Sequence, residues 1–262
     1  MLSHIVMDIR IHAVTMKEAL EWATEKISEE KPAMICTANA EMIMNAQTDK
    51  ELAHILNRSD LVVADGAGVL WAGEQLGTPF PERVTGADFS AELLKQAARL
   101  SWPVYFLGGA PGVAAKAAKR FMEKEVPFAL VGCHDGYFDA EEEKKILEDI
   151  RKSGARLLLV GLGVPKQEKW IWKHKEELGP VLSMGIGGCF DVMSGNLPRA
   201  PLWMQNHRLE WAYRLYLQPS RIMNHLKTFF RMQPSRIGRM MAIPKFMRAV
   251  KKWQKSGSRK TC

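Results

Sequence analysis

Short runs of apolar residues alternate along the chain with longer segments in which apolar residues recur every three or four positions. The short runs have the length of buried strands, and the longer segments have the spacing of amphipathic helices. The strand candidates are 33–36, 61–64, 104–107, 128–131, 157–160 and 181–184. The helical patterns lie near 39–57, 66–76, 87–100, 112–124, 140–152 and 166–178. This order predicts an α/β fold, a parallel sheet with helices on both faces.

Small and polar residues follow every predicted strand. The segments directly after the six strands are 37–39, 65–66, 108–112, 132–137, 161–168 and 185–188. In an open parallel sheet the ligand crevice lies beyond the carboxyl ends of the strands. We therefore expect one binding crevice along this edge of the sheet.

Two of these strand ends are candidates for binding phosphate. Gly108 and Gly109 follow a strand and open a helix, where the backbone can come close to a phosphate and the first amides point at it. They do not form a full dinucleotide fingerprint. After the predicted strand 157–160, Lys166 could support a leaving phosphate, and Gln167 could hydrogen-bond sugar hydroxyls or phosphate oxygens. Packing alone, or a helix start with Pro165 at its first position, would explain the same residues.

Polar side chains after the first two predicted strands suit a sugar ligand. Asp65 is a candidate for a general base, a ribose ligand or a helix cap. Thr37 and Asn39 are short hydrogen-bonding groups at the neighbouring strand end. In the loop before the third helical segment, Arg83 could bind phosphate or pair with Glu82.

The charge is distributed unevenly along the chain. Residues 211–262 contain 13 Lys or Arg and no Asp or Glu, and the whole chain carries +8, which leaves −5 for residues 1–210. Apolar stripes run among these cations at 222–230 and 237–253, a pattern typical of helices in a lipid interface. Packing on the body or on a second subunit is one alternative interpretation, and nucleic-acid binding is another.

We divide the chain into a catalytic core, 1–196, and a basic helical appendage, 197–262, that we expect to associate with a membrane and complete the site. The N-terminus lacks the basic and apolar regions of a signal peptide, and no apolar run reaches the roughly 18 residues of a spanning helix. We therefore expect a cytoplasmic protein, peripheral on the inner face of the cell membrane. The four cysteines are scattered, and no metal-ligand spacing appears, which indicates reduced thiols and no metal site.

Seven short motifs together resemble the WecG/TagA/CpsF glycosyltransferases. The motifs are Thr37-x-Asn39, Asp65-Gly66, Glu82-Arg83-Val84-x-Gly86, Gly163-x-Pro165-Lys166-Gln167-Glu168, Gly185-x-Gly187-Gly188, Arg199-Ala200-Pro201-x-Trp203 and Leu209-Glu210-Trp211-x-Tyr213-Arg214. They appear in order between residues 9 and 221. The resemblance implies an inverting transferase with a Rossmann-like core, a C-terminal appendage and no metal or other cofactor.

The resemblance also implies a reaction. It implies transfer of N-acetylmannosamine from UDP-ManNAc to undecaprenyl-diphosphate-linked GlcNAc, in a β-1,4 linkage, for wall teichoic acid or a related surface polymer. The expected partners are a UDP-sugar, a polyprenyl-diphosphate acceptor and an anionic membrane surface, without nucleic acid; a homo-oligomer is left open. The alternatives are another UDP-sugar donor, such as UDP-ManNAc uronic acid or UDP-glucose, a nucleotide-binding module without transferase activity, and a membrane-bound scaffold.

The resemblance carries roles over to matching positions. Asp65 would be the base that deprotonates the acceptor hydroxyl. The expected substrate ligands are Thr37, Asn39, Arg83, Gln167, Arg214 and Arg221. The expected nucleotide ligands are Gly108, Gly109, Tyr137, Lys166 and Asp191.

The two arginines of the appendage have a specific expected task. Charge builds up on the departing UDP, and without a metal Arg214 and Arg221 would offset it, because arginine forks fit diphosphate oxygens. Asn224 stands where the family often has a cation, so this contact would depend on Arg221 with help from Lys227 or Arg231.

Overall fold

The structure is a computed structural model that describes residues 1–201, 203, 204, 210 and 213. Arg214, Arg221 and Asn224 lie outside the described residues, as do the two amphipathic stripes of the appendage. Within the part that is described, no helix combines the length and the apolar content needed to cross a bilayer.

An eight-stranded sheet forms the centre of the molecule. The strands are β1 (Ser3–Val6), β2 (Ile9–His12), β3 (Ala33–Ala38), β4 (Leu61–Ala64), β5 (Val104–Gly108), β6 (Leu130–His134), β7 (Leu157–Gly161) and β8 (Leu182–Gly185). Their order across the sheet is β1-β2-β4-β3-β8-β7-β5-β6. Only β1 is antiparallel to its neighbour, and the other paired strands are parallel. The predicted α/β class is confirmed.

Helices cover both faces of this sheet. The described helices are α1 (Met16–Ser28), α2 (Ala40–Ala46), α3 (Lys50–Arg58), α4 (Ala67–Gln75), α5 (Gly86–Leu100), α6 (Val113–Lys124), α7 (Ala140–Ser153), α8 (Lys166–His174) and α9 (Cys189–Met193). The helices α2, α3, α4, α7 and α8 contribute to one buried apolar cluster, and α1, α5, α6 and α9 contribute to the other. The sheet therefore separates two cores.

Residues of a central strand alternate between these two cores. In β4, Leu61 and Val63 join one cluster, whereas Val62 and Ala64 join the other. Successive side chains of a strand point to opposite faces, so a strand covered on both sides must be apolar at every position. This requirement explains why the central strands appear in the sequence as continuous apolar runs.

The hairpin of β1 and β2 was missing from the sequence-based prediction. Val6 pairs with Ile9, and the two turn residues, Met7 and Asp8, have left-handed backbone angles, φ 49° and 63°. A two-residue turn of this kind suits the twist of a hairpin. The strand at the sheet edge is partly exposed and mixes polar with apolar residues, so it lacks the apolar run by which the buried strands were identified.

The helix predicted near 39–57 is two helices, and the prediction was wrong on this point. A short turn at 47–49 separates α2 from α3. The side chain of Asp49 caps α3 by accepting a hydrogen bond from the Leu52 N–H at 3.1 Å. An Asp that satisfies a free amide at a helix start favours a new helix over continuation of the previous one.

The two halves of the chain occupy the two halves of the sheet. Strands β1 to β4 lie on one side and β5 to β8 on the other, and the halves meet where β3 pairs with β8. The helix that follows β3 and the helix that follows β8 lie on opposite faces. Connections that leave on opposite faces open a crevice at the carboxyl ends of the strands, and this seam between β3 and β8 is where we look for the site.

Candidate active site

Asp65 lies close to Thr37 and Gly86 on the side of the seam formed by β1 to β4, the first-half side. Asp65 directly follows β4, and its Oδ2 accepts a hydrogen bond from the Gly86 N–H at 3.1 Å. A Cβ atom placed on Gly86 would lie 3.2 Å from Thr37 Oγ1 and 3.6 Å from Asp65 Oδ2. A side chain at position 86 would therefore crowd both polar groups, and glycine lets the start of α5 approach them.

Asp65 does not occupy the cap position of α4, the helix that follows it in the chain. The residue at the cap position of α4 is Gly66, with φ 90° and no side-chain capping bond. Asp65 instead binds the first residue of a different helix, α5, whose own cap is Thr85. The carboxylate is thus held in the crevice by a backbone amide 21 residues further along the chain.

Asn39 lies at the neighbouring strand end and caps α2. Its Oδ1 accepts a hydrogen bond from the Met42 N–H at 2.9 Å. A Cβ atom on Gly66 would lie 3.9 Å from the Cβ of Asn39, so the ends of β3 and β4 are adjacent here. Because Oδ1 is engaged by the helix, the amide Nδ2 is the part of Asn39 suited to a ligand.

Ion pairs connect the loop before α5 to described residues of the appendage. Arg83 lies 3.3 Å from Glu210, and Arg199 lies 3.4 Å from the same carboxylate. Arg199 also lies 2.6 Å from Asp88, in the first turn of α5. Glu82, which the sequence suggested as a partner of Arg83, accepts from the backbone N–H of Met16 at 2.8 Å. Three of the motifs that are far apart in sequence thus meet, and Gly86 of one of them contacts Asp65.

The turn after β5 is shaped by close backbone packing. Gly108 has φ 130°, and a Cβ atom there would lie 2.4 Å from the carbonyl oxygen of Gly161. The Gly109 N–H donates to that same carbonyl at 3.1 Å. Gly108 is therefore required for the packing of β5 on β7, and contact of Gly108 and Gly109 with phosphate stays a prediction.

Tyr137 and Lys166 come together over this turn. The Gly136 N–H donates to the Gly109 carbonyl at 2.9 Å, which lays the loop after β6 across the end of β5. Lys166 Nζ lies 3.4 Å from the Gly136 carbonyl and 5.3 Å from the centre of the Phe138 ring. Tyr137 is 75% exposed, an unusual state for an aromatic ring and one suited to a planar ligand.

Asp191 lies on α9, the short helix after β8. A Cβ atom on Gly188 would lie 3.9 Å from Asp191 Oδ2, so its carboxylate sits beside the glycine turn that ends β8. Its backbone carbonyl accepts from the Leu197 N–H at 3.0 Å. The structure therefore places Asp191 on the second-half side of the seam, as it does Tyr137 and Lys166.

Gln167 is buried beneath the loops that follow β7 and β8. Only 1% of the residue is exposed. Its Oε1 accepts hydrogen bonds from the Gly163 N–H at 3.2 Å and from the Gly187 N–H at 2.9 Å. These contacts hold the two loops in fixed positions, and the role predicted for Gln167 as a substrate ligand stays a prediction.

Glu168, which the sequence analysis named only as part of a motif, is a buried carboxyl. It is 1% exposed, and burial raises its pKa to about 7. Its Oε1 accepts from Gln167 Nε2 at 2.7 Å, and its Oε2 has no hydrogen-bond partner among the described residues. The sequence carried a signal for this burial, because Gln167 and Glu168 precede the buried Trp170, Ile171 and His174 at helical spacing.

No metal centre is evident in the described part of the chain. It contains no group of three or more His, Cys, Asp or Glu side chains that could hold a metal ion. Independence of metal remains an expectation to be tested by experiment.

An open groove of about 890 Å³ lies between α1 and α5, away from most of these residues. It is lined by helix side chains that include Leu20, Thr24 and Gln96. Apart from Glu82 it contains none of the motif positions, and we do not assign it to the site.

The buried carboxyl predicts a specific dependence of stability on pH. The pKa of Glu168 is about 7 in the folded chain, and its ordinary value, which applies to the unfolded chain, is 4.5. As pH rises, the unfolded chain therefore loses this proton at a lower pH than the folded chain. The free energy of unfolding should therefore fall as pH rises from 4.5 to 7 and then level off. Glu168→Gln removes the ionisable group. The free energy of unfolding of the variant, relative to that of the wild type, should therefore rise by about 3 kcal/mol between pH 4.5 and pH 8.

Urea unfolding at both pH values measures the difference. Glu176→Gln changes an exposed residue just beyond the same helix and serves as the control. A constant difference between Glu168→Gln and the wild type at the two pH values would show that Glu168 has the same pKa in the folded and the unfolded chain.

Comparison with known proteins supports the resemblance that the motifs indicated. Residues 4–260 match the sequence model described as the glycosyl transferase WecG/TagA/CpsF family. A curated protein of Bacillus spizizenii is 30% identical over 236 residues, which cover 90% of this chain and 85% of the relative. That relative is named N-acetylglucosaminyldiphosphoundecaprenol N-acetyl-beta-D-mannosaminyltransferase.

Proposed function

The chain belongs to the WecG/TagA/CpsF family of glycosyltransferases, and from this premise we propose that it transfers N-acetylmannosamine from UDP-ManNAc to undecaprenyl-diphosphate-linked GlcNAc. The name and the coverage of the Bacillus relative support this donor and acceptor. The product would serve wall teichoic acid or a related surface polymer. The observation that carries the proposal is the Asp65 carboxylate, held beside Thr37 across the seam from Tyr137 and Lys166.

In the proposed reaction one displacement inverts the anomeric carbon. The 4-hydroxyl oxygen of GlcNAc attacks C1 of N-acetylmannosamine, and the bond from C1 to the UDP oxygen breaks. Asp65 takes the hydroxyl proton, and the leaving electron pair departs with UDP. A single base on the acceptor side is sufficient for this chemistry.

The donor nucleotide would occupy the second-half side of the seam. The glycine turn at 108–112 and Lys166 would face its diphosphate, where negative charge increases as the bond breaks. The exposed ring of Tyr137 would stack on uracil, and Asp191 would accept from ribose hydroxyls. No metal is part of this arrangement.

The appendage would bring the acceptor's lipid and the remaining cations to the site. We place the boundary between core and appendage near residue 196. The 13 cations of residues 211–262 favour an anionic lipid surface at the inner face of the membrane, each adding about 1 kcal/mol near that surface. Arg214 and Arg221 would complete the diphosphate contact. The ion pair of Glu210 with Arg83 and that of Arg199 with Asp88 join appendage residues to the core and support this arrangement.

Donor screening in the presence of EDTA tests the proposed function. Purified full-length protein is incubated with a short-chain GlcNAc-diphosphate-lipid and one of UDP-ManNAc, UDP-GlcNAc, UDP-glucose or UDP-ManNAc uronic acid. We expect a disaccharide product with UDP-ManNAc, at a rate that EDTA changes by less than about twofold, because the core offers cations and amides for the diphosphate. Product from a different donor only, or activity that returns only on adding Mg²⁺ or Mn²⁺, would contradict the proposal.

Asp65→Asn tests the base. The amide keeps the shape of the side chain and can still accept from the Gly86 N–H, but it cannot take a proton at neutral pH. We expect kcat to fall by about 10²–10⁴. Binding of UDP, measured by calorimetry, should stay within about twofold, because Asp65 acts on the acceptor.

The control for this variant is Asp149→Asn, which changes an exposed carboxylate on α7 that accepts from the Tyr105 hydroxyl at 2.7 Å. It should leave kcat unchanged. An Asp65→Asn enzyme within about threefold of the wild type would assign the base to another residue.

A further inference from the structure

A pair of buried side chains underlies the seam. Gln167 and Glu168 begin α8, and each is only 1% exposed. A Cβ atom on Gly185 would lie 2.6 Å from Gln167 Nε2 and 3.0 Å from Glu168 Oε1. The pair therefore packs directly on the backbone of β8.

The hydrogen bonds of Gln167 permit only one orientation of its amide. The Gly163 N–H and the Gly187 N–H both point at the same atom, at 3.2 and 2.9 Å, and both are donors. That atom must be the oxygen, because an amide nitrogen would oppose two donors. The nitrogen of Gln167 is then turned the other way and needs an acceptor.

Glu168 supplies that acceptor. Its Oε1 lies 2.7 Å from Gln167 Nε2, and the contact is buried from solvent. A buried amide nitrogen without an acceptor is destabilising. Removal of the carboxyl would therefore favour other orientations of Gln167 and release the backbone amides of the two glycine loops.

These two loops border the site, because they follow β7 and β8, the two strands of the second half that lie nearest the seam. Gly163 follows β7 and leads to Lys166, and Gly187 follows β8 and leads to α9, which carries Asp191. Both loops depend on the same amide oxygen, so a change in Gln167 would displace Lys166 and Asp191, two of the residues that we assign to the donor nucleotide.

We propose that Glu168 is a positioning residue, whose buried carboxyl fixes the Gln167 amide and thereby holds the loops after β7 and β8 around the donor. The carboxyl acts through Gln167 and has no contact of its own with substrate. This role rests on the proposed function, because the donor side of the seam is assigned there.

A matched pair of variants isolates the acceptor atom. Glu168→Gln and Glu168→Met have nearly the same length and volume as glutamate, and only glutamine retains an oxygen for Gln167 Nε2. We expect Glu168→Met to raise the KM for the UDP-sugar by about tenfold or more, which corresponds to the loss of one buried hydrogen bond. The KM for the acceptor should change by less than about twofold, and Glu168→Gln should restore the donor KM to within about threefold.

A double-mutant cycle tests whether Glu168 acts through Gln167. In a Gln167→Ala background, Glu168→Met should worsen the donor KM by less than about twofold, because the amide that it positions is already absent. An equal effect of Glu168→Met in both backgrounds would overturn the proposal. So would a normal donor KM in Glu168→Met, or a Glu168→Gln variant as impaired as Glu168→Met.

A spectroscopic measurement tests the positioning role of Glu168 without relying on the proposed sugar transfer. The ¹⁵N–¹H resonances of Gly163 and Gly187 report their hydrogen bonds to Gln167 without any turnover. They should shift together in Glu168→Met and return toward wild-type positions in Glu168→Gln. Resonances that stay in place in Glu168→Met would overturn the positioning role. Shifted resonances in a protein that transfers no sugar would instead contradict the proposed function alone.

Discussion

Three paired positions join the two halves of the sheet: Ala33 with Leu182, Met34 with Ser183, and Ile35 with Met184. This short parallel contact sets the register of every strand end at the crevice, because each half of the sheet is itself a continuous ladder. It places the end of β3, with Thr37, next to the turn after β8. A slip of one residue would turn every side chain of β3 to the opposite face, which both buried cores resist. The geometry of the site thus depends on packing several residues below it.

The two sides of the crevice differ in how their polar groups are held. On the side formed by β1 to β4, backbone amides orient the side chains that we propose as substrate contacts, as Gly86 does for Asp65. On the second-half side, glycine turns present backbone, and buried side chains hold those turns, as Gln167 does. A displacement reaction needs both, one fixed base for the acceptor and a rigid cradle for a charged leaving group. The appendage contacts the core through the ion pair of Glu210 with Arg83 and that of Arg199 with Asp88.

The sequence predicted the features that depend on burial along a strand and missed those that depend on tertiary contact. Continuous apolar runs marked the buried parallel strands, whereas the edge hairpin had no such run because one face of β1 is partly open to water. The motifs indicated the family and the residues at the strand ends. The orientation of those residues did not follow from their order: the contact of Asp65 with Gly86 and that of Arg83 with Glu210 join distant segments. Gln167 and Glu168 were placed at a helix start with no prediction of their burial, although their spacing from Trp170 and Ile171 places them on the buried stripe.

In the proposed function, the donor and the base face each other across the seam between β3 and β8. A crystal structure of the Asp65→Asn protein with UDP-ManNAc tests it most directly, since the donor stays intact. We expect uracil beside Tyr137, the diphosphate between the turn at 108–112 and Lys166, and the anomeric carbon facing residue 65. A nucleotide bound elsewhere, such as in the groove between α1 and α5, or a sugar directed away from residue 65, would contradict this arrangement.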